Sequence, residues 1–396
     1  MWLSVITFLD RLCIAVAGPR IQQELNITPD HWGWVLGAFI LAYGAFELPT
    51  GALGDRLGHR GVLTRIVLWW SAFTILTGTA SSFVPLVIIR FLFGAGEAGA
   101  YPNMAGVVSR WFKVSERAMA QGLIWGASRA GGALSPLLVV PIQTAFGWRA
   151  SFFTFGAIGL IWCAIWWWWY RDPVADEDST QHQAPWRLLF RSRQMWTIVA
   201  MYGCYAWGSW FYFSWLRTWL VRGRSFTEGE MAIFSALPFV LGAVANVVGG
   251  VLSDVSVMRF GIRRGRVLVG STCLAAGSCL LIATAMTHDR NIAVVLLTLG
   301  FGVMDLMLPS AWAICLDISG PHSGAVTGAM NTAGQLGGFF CTVLFGYLIR
   351  EYNDYDLPLL VIAGMVGLAA FLFTRIDASR PLVEHYPATP AIAGVR

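Results

Sequence analysis

Charge is scarce in this sequence. Only 12% of its 396 residues are charged, against about a quarter in an average soluble chain, and that shortage excludes an ordinary soluble domain. A disulfide scaffold is excluded as well. The seven cysteines, Cys13, Cys163, Cys204, Cys273, Cys279, Cys315 and Cys341, all fall inside apolar segments. They are too separated to form a framework, and no Cys/His spacing suits a metal. The net charge is +5, but the basic residues sit in short loops between apolar runs, so no nucleic-acid partner is expected. The histidines lie in loops or near helix ends, and no nucleophile–base set or lipid-phosphate motif is evident. An enzyme is therefore not expected, and no cofactor or metal is called for.

Apolar surface is what the chain has in quantity. Hydrophobic residues make up 56% of it, and the mean hydropathy is +0.61. Its 20 tryptophans fit two long membrane interfaces, where amphipathic rings collect. The run IWWWWYR, residues 165–171, reads as one such belt at a cytoplasmic helix end. Segments of about 20 apolar residues, enough to cross a bilayer, fall at 2–22, 32–53, 62–82, 84–108, 117–142, 149–170, 195–220, 230–253, 267–286, 291–316, 323–349 and 357–375. Arginines crowd the loops on one side, among them Arg56, Arg60, Arg110, Arg171, Arg263 and Arg264. That bias places both termini in the cytoplasm. The longest polar stretch divides the segments six and six.

The expected architecture is an all-α membrane protein of twelve transmembrane helices in two pseudo-symmetric six-helix bundles. Residues 1–170 form the N-terminal bundle, 171–194 a cytoplasmic linker, 195–376 the C-terminal bundle and 377–396 a cytoplasmic tail. It would sit in the cytoplasmic (inner) membrane, surrounded by lipid, as a monomer. Two repeats support the symmetry. LPTGALGD, ending at Asp55, matches VVGGVLSD, ending at Asp254, and the small-residue spacing of residues 116–132 recurs in 322–338.

Charges inside the apolar segments are few and suggestive. In RFLFGAGEAGAYPN, residues 90–103, Arg90 and Glu97 stand two helical turns apart on one face, and Asp10 and Arg11 adjoin in the first segment. Ionisable groups at membrane depth usually face a cavity or a partner. These four residues read as two acid–base pairs, Asp10 with Arg11 and Glu97 with Arg90. An incoming anion that takes an arginine frees its acid to accept a proton, and the planar guanidinium grips a carboxylate with two hydrogen bonds. The same residues also suit structural ion pairs. Uniport, antiport or a transporter-like nutrient sensor remain open beside symport.

The loop GALGDRLGHR (51–60) and its looser counterpart at 249–266 resemble the signature of the major facilitator superfamily. That resemblance implies a substrate site between the halves and a cytoplasmic gate at Asp55, Arg56, Arg60 and Asp254. Residues 8–25, 36–60 and 90–122 further resemble the anion:cation symporter family. It includes bacterial galactonate, glucarate and hexuronate permeases and animal sialic-acid and vesicular glutamate carriers. The resemblance implies proton-coupled transport of a small organic anion, a sugar acid or other carboxylate. Asp10 and Glu97 would carry protons, and Arg11 and Arg90 would lie at or beside the substrate. Tyr43, Glu47, Ser128, Trp312 and Asn331 complete the candidate site; Asn331 and Trp312 fall near sugar-contacting positions of the permeases. Fewer amides and more rings point to a less hydroxylated anion. Arg129 and Asp305 are further polar candidates without an assigned role.

Overall fold

A computed structural model describes residues 1–27, 29–172, 186–216, 219–352 and 354–382. The first half comprises α1 (Trp2–Leu25), α2 (Pro29–Leu57), α3 (His59–Thr77), α4 (Phe83–Glu97), α5 (Ala100–Trp111), α6 (Arg117–Phe146) and α7 (Trp148–Trp169). The second comprises α8 (Arg193–Ser214), α9 (Leu237–Met286), α10 (Arg290–Asp305), α11 (Leu308–Ile318), α12 (Ser323–Tyr352) and α13 (Leu357–Thr374). Most of the linker and of the tail, 173–185 and 383–396, lies outside the described residues, as do Arg217 and Thr218.

Eight helical stretches among the described residues are long and apolar enough to cross a bilayer on length and composition alone. Three other expected spans correspond to α1, α3 and α8. The first of these carries Asp10, Arg11 and Arg20, and its polar load explains why hydropathy alone passes it over. The eighth and ninth expected spans run together in α9, a single 50-residue helix that bends at Gly261. There φ is 79° and ψ 164°, a conformation open almost only to glycine. Gly58 adopts the matching geometry between α2 and α3, with φ 84° and ψ 146°. The repeat therefore extends to backbone conformation.

Two spans expected to be continuous are broken. The fourth stops at Glu97 and restarts at Ala100, through Gly99 at φ 84°. Pro102 sits in the first turn of α5, where its missing N–H is an orphan position anyway. Asn103 ties the break together: its Nδ2 donates to the carbonyls of Gly99 (2.8 Å) and Thr50 (3.1 Å). The tenth span breaks between Asp305 and Leu308, and Pro309 again opens the second piece. Each fourth rod of a half is thus interrupted beside an acidic residue.

Within the halves α1 packs on α6, α2 on α4 and α3 on α7, with α9 on α10 and α13 and α8 on α12 opposite. Between the halves α6 packs along α9, and α2 along α12. Glycine permits this approach. A Cβ on Gly51 would meet the Gly324 carbonyl, one on Gly324 would meet the Gly51 carbonyl, and one on Gly250 would meet the Ala118 carbonyl. All lie towards the face bearing Gly58 and Gly261, which is closed. We expect Gly51→Val and Gly250→Val to wedge this face open. Spin labels at the exposed positions Leu57 and Met258, in a background cleared of reactive cysteines, would then give a longer and broader distance than in the parent. An unchanged distance in folded protein would show that the glycines do not hold the face shut.

Candidate functional site

The closed face is latched by carboxylates on helix ends. Asp55, near the end of α2, accepts from the backbone N–H groups of Gly324 (3.0 Å) and Ala325 (2.9 Å) at the start of α12. Its repeat partner Asp254 accepts from Ala118 (3.3 Å) and Met119 (2.7 Å) at the start of α6. Each acid crosses to the other half and meets the positive end of a helix, an arrangement worth roughly 0.5–2 kcal/mol per contact. Arg266 reinforces one side. Fully buried, it donates to Asp254 (2.6 Å), Asp317 (3.2 Å), Ser253 Oγ (2.9 Å) and the Val114 carbonyl (2.7 Å). Arg117 also reaches Asp317, at 3.1 Å.

The gate residues implied by the resemblance are placed differently from one another: Asp254 pairs with Arg266, whereas Asp55 makes no ion pair among the described residues. Arg60 lies over the Trp167 ring and donates to its carbonyl, while exposed Arg56 lines a recess with Leu53, Trp186 and Phe190. The donors to Asp55 are peptide groups, which no count of charged residues could reveal.

At membrane depth the expected pairs are exchanged. Arg11 holds Glu97, through Nε at 3.1 Å and Nη2 at 2.5 Å on the same oxygen. Adjacent residues on a helix point about 100° apart and do not face each other, so Asp10 turns away from Arg11. Arg90, two turns before Glu97 on the same helix, makes no hydrogen bond or ion pair with it. Asp10 is consequently buried with neither oxygen accepting a hydrogen bond, and Glu97 Oε2 is likewise without a donor. Arg90 has no hydrogen-bond partner among the described residues; its guanidinium lies over Phe39 (5.0 Å) and Phe93 (4.7 Å). Arg11 lies over Tyr43 at 4.8 Å.

The remaining candidates converge beside this group. Glu47 on α2 accepts from Asn331 Nδ2 on α12 at 2.5 Å, a bond between the halves. Ser128 meets the Tyr101 hydroxyl at 2.7 Å. Tyr101 stacks on Trp125 (4.5 Å), and Trp125 packs on Trp312 (5.2 Å), whose indole N–H donates to the Tyr202 hydroxyl (3.2 Å). Arg129, left without a role by the sequence, grips Asp305 in the other half, at 2.9 and 3.3 Å. Asp305 accepts further from Asn246 (2.9 Å) and Tyr205 (3.1 Å). Asn246 was overlooked at the level of sequence, although it precedes Asp254 by the same interval as Glu47 precedes Asp55. Buried Gln121, and Asp317 with its inaccessible side chain, were also missed.

A paired-helix fold with acids and arginines at its midplane seam defines a membrane carrier. The chain belongs to the Major Facilitator Superfamily, whose sequence profile matches residues 1–342. Among similar proteins, the probable sulfoacetate transporter SauU of Cupriavidus necator is 37% identical over 92% of this chain and 89% of its own length. The probable L-galactonate transporter of Escherichia coli is 28% identical, covering 93% and 86%. The solved structure of FucP in the outward conformation shares the fold, with a TM-score of 0.74 at 15% identity, over 94% of this chain and 97% of that one.

We expect Asp55→Asn and Asp254→Asn each to slow turnover several-fold, because an amide keeps the shape but loses the charge at the helix end. Equilibrium anion binding, measured by calorimetry, should stay within about threefold of wild type. Normal turnover with weakened binding would remove these residues from gating.

Proposed function

We propose that this protein is a proton-coupled symporter of a small organic anion, working by alternating access in the cytoplasmic membrane with both termini in the cytoplasm. The carrying observation is the Arg11–Glu97 pair, with Asp10 and Arg90 buried beside it and unbonded. An anion that takes Arg11 withdraws the one residue that donates to Glu97 among the described residues. The uncompensated carboxylate then takes a proton, since burial penalises its charged form. Asp10, already without donors, is the second proton carrier. Arg90, with its guanidinium held by rings alone, is available to the same anion.

Roles for the surrounding groups follow. Tyr43 and Ser128 orient the substrate from the first half, and Glu47 with Asn331 links it to closure of the two halves. Trp312 backs the Trp125 and Tyr101 rings beside them. Asp55, Asp254, Arg56 and Arg60 mark the cytoplasmic gate, with the two acids as its working parts. We read residues 1–170 and 195–376 as the moving bodies of a monomer. The names of the relatives support organic anions as the cargo class and make sulfoacetate and galactonate the first compounds to test.

In proteoliposomes, Glu97→Gln and Asp10→Asn should abolish accumulation driven by a pH gradient, with counterflow retained in at least one of them. Arg11→Ala should weaken anion binding by about 2–4 kcal/mol, or roughly 30- to 1000-fold, and Arg11→Lys by less, because charge remains while the fork is lost. Full gradient-driven uptake by both acid variants would replace symport with uniport or exchange.

A further inference from the structure

Two arginines in this site are held in the same way. Arg11 turns its Nε and Nη2 edge to Glu97, and Arg129 turns the same edge to Asp305. In each case Nη1 makes no hydrogen bond to the described residues, and neither Nη1 is among the sealed, unpartnered atoms of the interior. Each arginine is therefore clamped along one edge, with Nη1 outside the clamp. The Arg129 guanidinium lies 5.9 Å from the Trp125 ring, its neighbour Ser128 meets the Tyr101 hydroxyl at 2.7 Å, and Tyr101 stacks on Trp125, which packs on Trp312.

The two clamps differ in what they leave behind. Glu97 depends on Arg11 alone, and one of its oxygens has no donor. Asp305 is held by four donor atoms on three residues, two from Arg129 and one each from Asn246 and Tyr205. If Arg129 engages an anion, Asp305 keeps the donors of Asn246 and Tyr205. If Arg11 does so, Glu97 keeps none among the described residues.

We propose that Arg129 is a second anion anchor, and that the substrate is a compact dianion held at one end by Arg11 and at the other by Arg129, its short apolar spacer lying against the stacked rings of Tyr101 and Trp125. Because Arg129 belongs to the first half and Asp305, Asn246 and Tyr205 to the second, the far end of such a substrate would sit on the seam between them. The inference rests on Arg11 being the primary anion site, as read above.

Matched pairs of anions test it. Binding of sulfoacetate, malonate and succinate would be compared at pH 7.5 by calorimetry with methylsulfonylacetate, malonamate and succinamate, which keep the skeleton and lose one charge. Wild type should favour the dianion at least about tenfold for one chain length and less for the others. Arg129→Gln alone would strand a buried acid, so the neutral double variant Arg129→Gln/Asp305→Asn is the cleaner probe. Its preference should fall to about one, with monoanion binding little changed, and Arg11→Ala should lose both classes. Should the double variant not fold, Arg129→Lys should weaken dianion binding selectively. Monoanions bound as tightly as dianions by wild type, or an intact preference in the variants, would overturn the second anchor while leaving the Arg11 site standing. Failure of every anion to bind would sink the Arg11 site as well.

Discussion

Two of the arginines at membrane depth each meet a carboxylate, and the choice of carboxylate organises this molecule. Arg11 finds Glu97 within its own half, whereas Arg129 finds Asp305 across the seam. The first pairing ties α1 to the break in the fourth rod. The second ties α6 to the corresponding break in the tenth. Removing one member of such a buried pair typically costs about 3–5 kcal/mol, so the exchange of partners is possible only when something else supplies the missing charge. A bound anion or a proton is what the fold leaves room for.

The broken rods give these acids their freedom. A continuous helix would satisfy every peptide group in its own ladder. At Glu97–Gly99 and at Asp305–Met307 the ladder stops, and Asn103 must repair the first gap from its side chain. His59 in turn contacts Asn103, at 3.0 Å, and sits against Gly54 and Gly106. A chain of polar contacts thus runs from the Gly58 turn to the break beside Glu97, joining the gate loop to the acid by side chains packed without slack.

Much of this was legible beforehand, for physical reasons that differ by feature. Apolar runs of bilayer length and the clustering of arginines report the solvent, and they placed the spans. The repeated Gly and Asp positions placed the latch acids opposite one another. Partner choice was not legible. Helical periodicity tells which residues share a face but not which neighbouring helix that face meets, so Glu97 was matched to Arg90 on its own helix rather than to Arg11. The donors to Asp55 were hidden for another reason: peptide N–H groups carry no sequence signature. The breaks at Gly99 and Leu306 lay inside runs whose hydropathy never falters.

That the latch donors are backbone groups has an evolutionary consequence. Side chains at the start of α12 and α6 can drift freely, provided they stay small enough to let the helices meet, without taking away what Asp55 and Asp254 bind. The information for closing this face is concentrated in two aspartates, a handful of glycines and the Arg266–Asp317–Arg117 cluster. The rest of the interface is left to vary, and carriers for chemically unrelated cargo can share one closing device while everything around the cavity is rewritten.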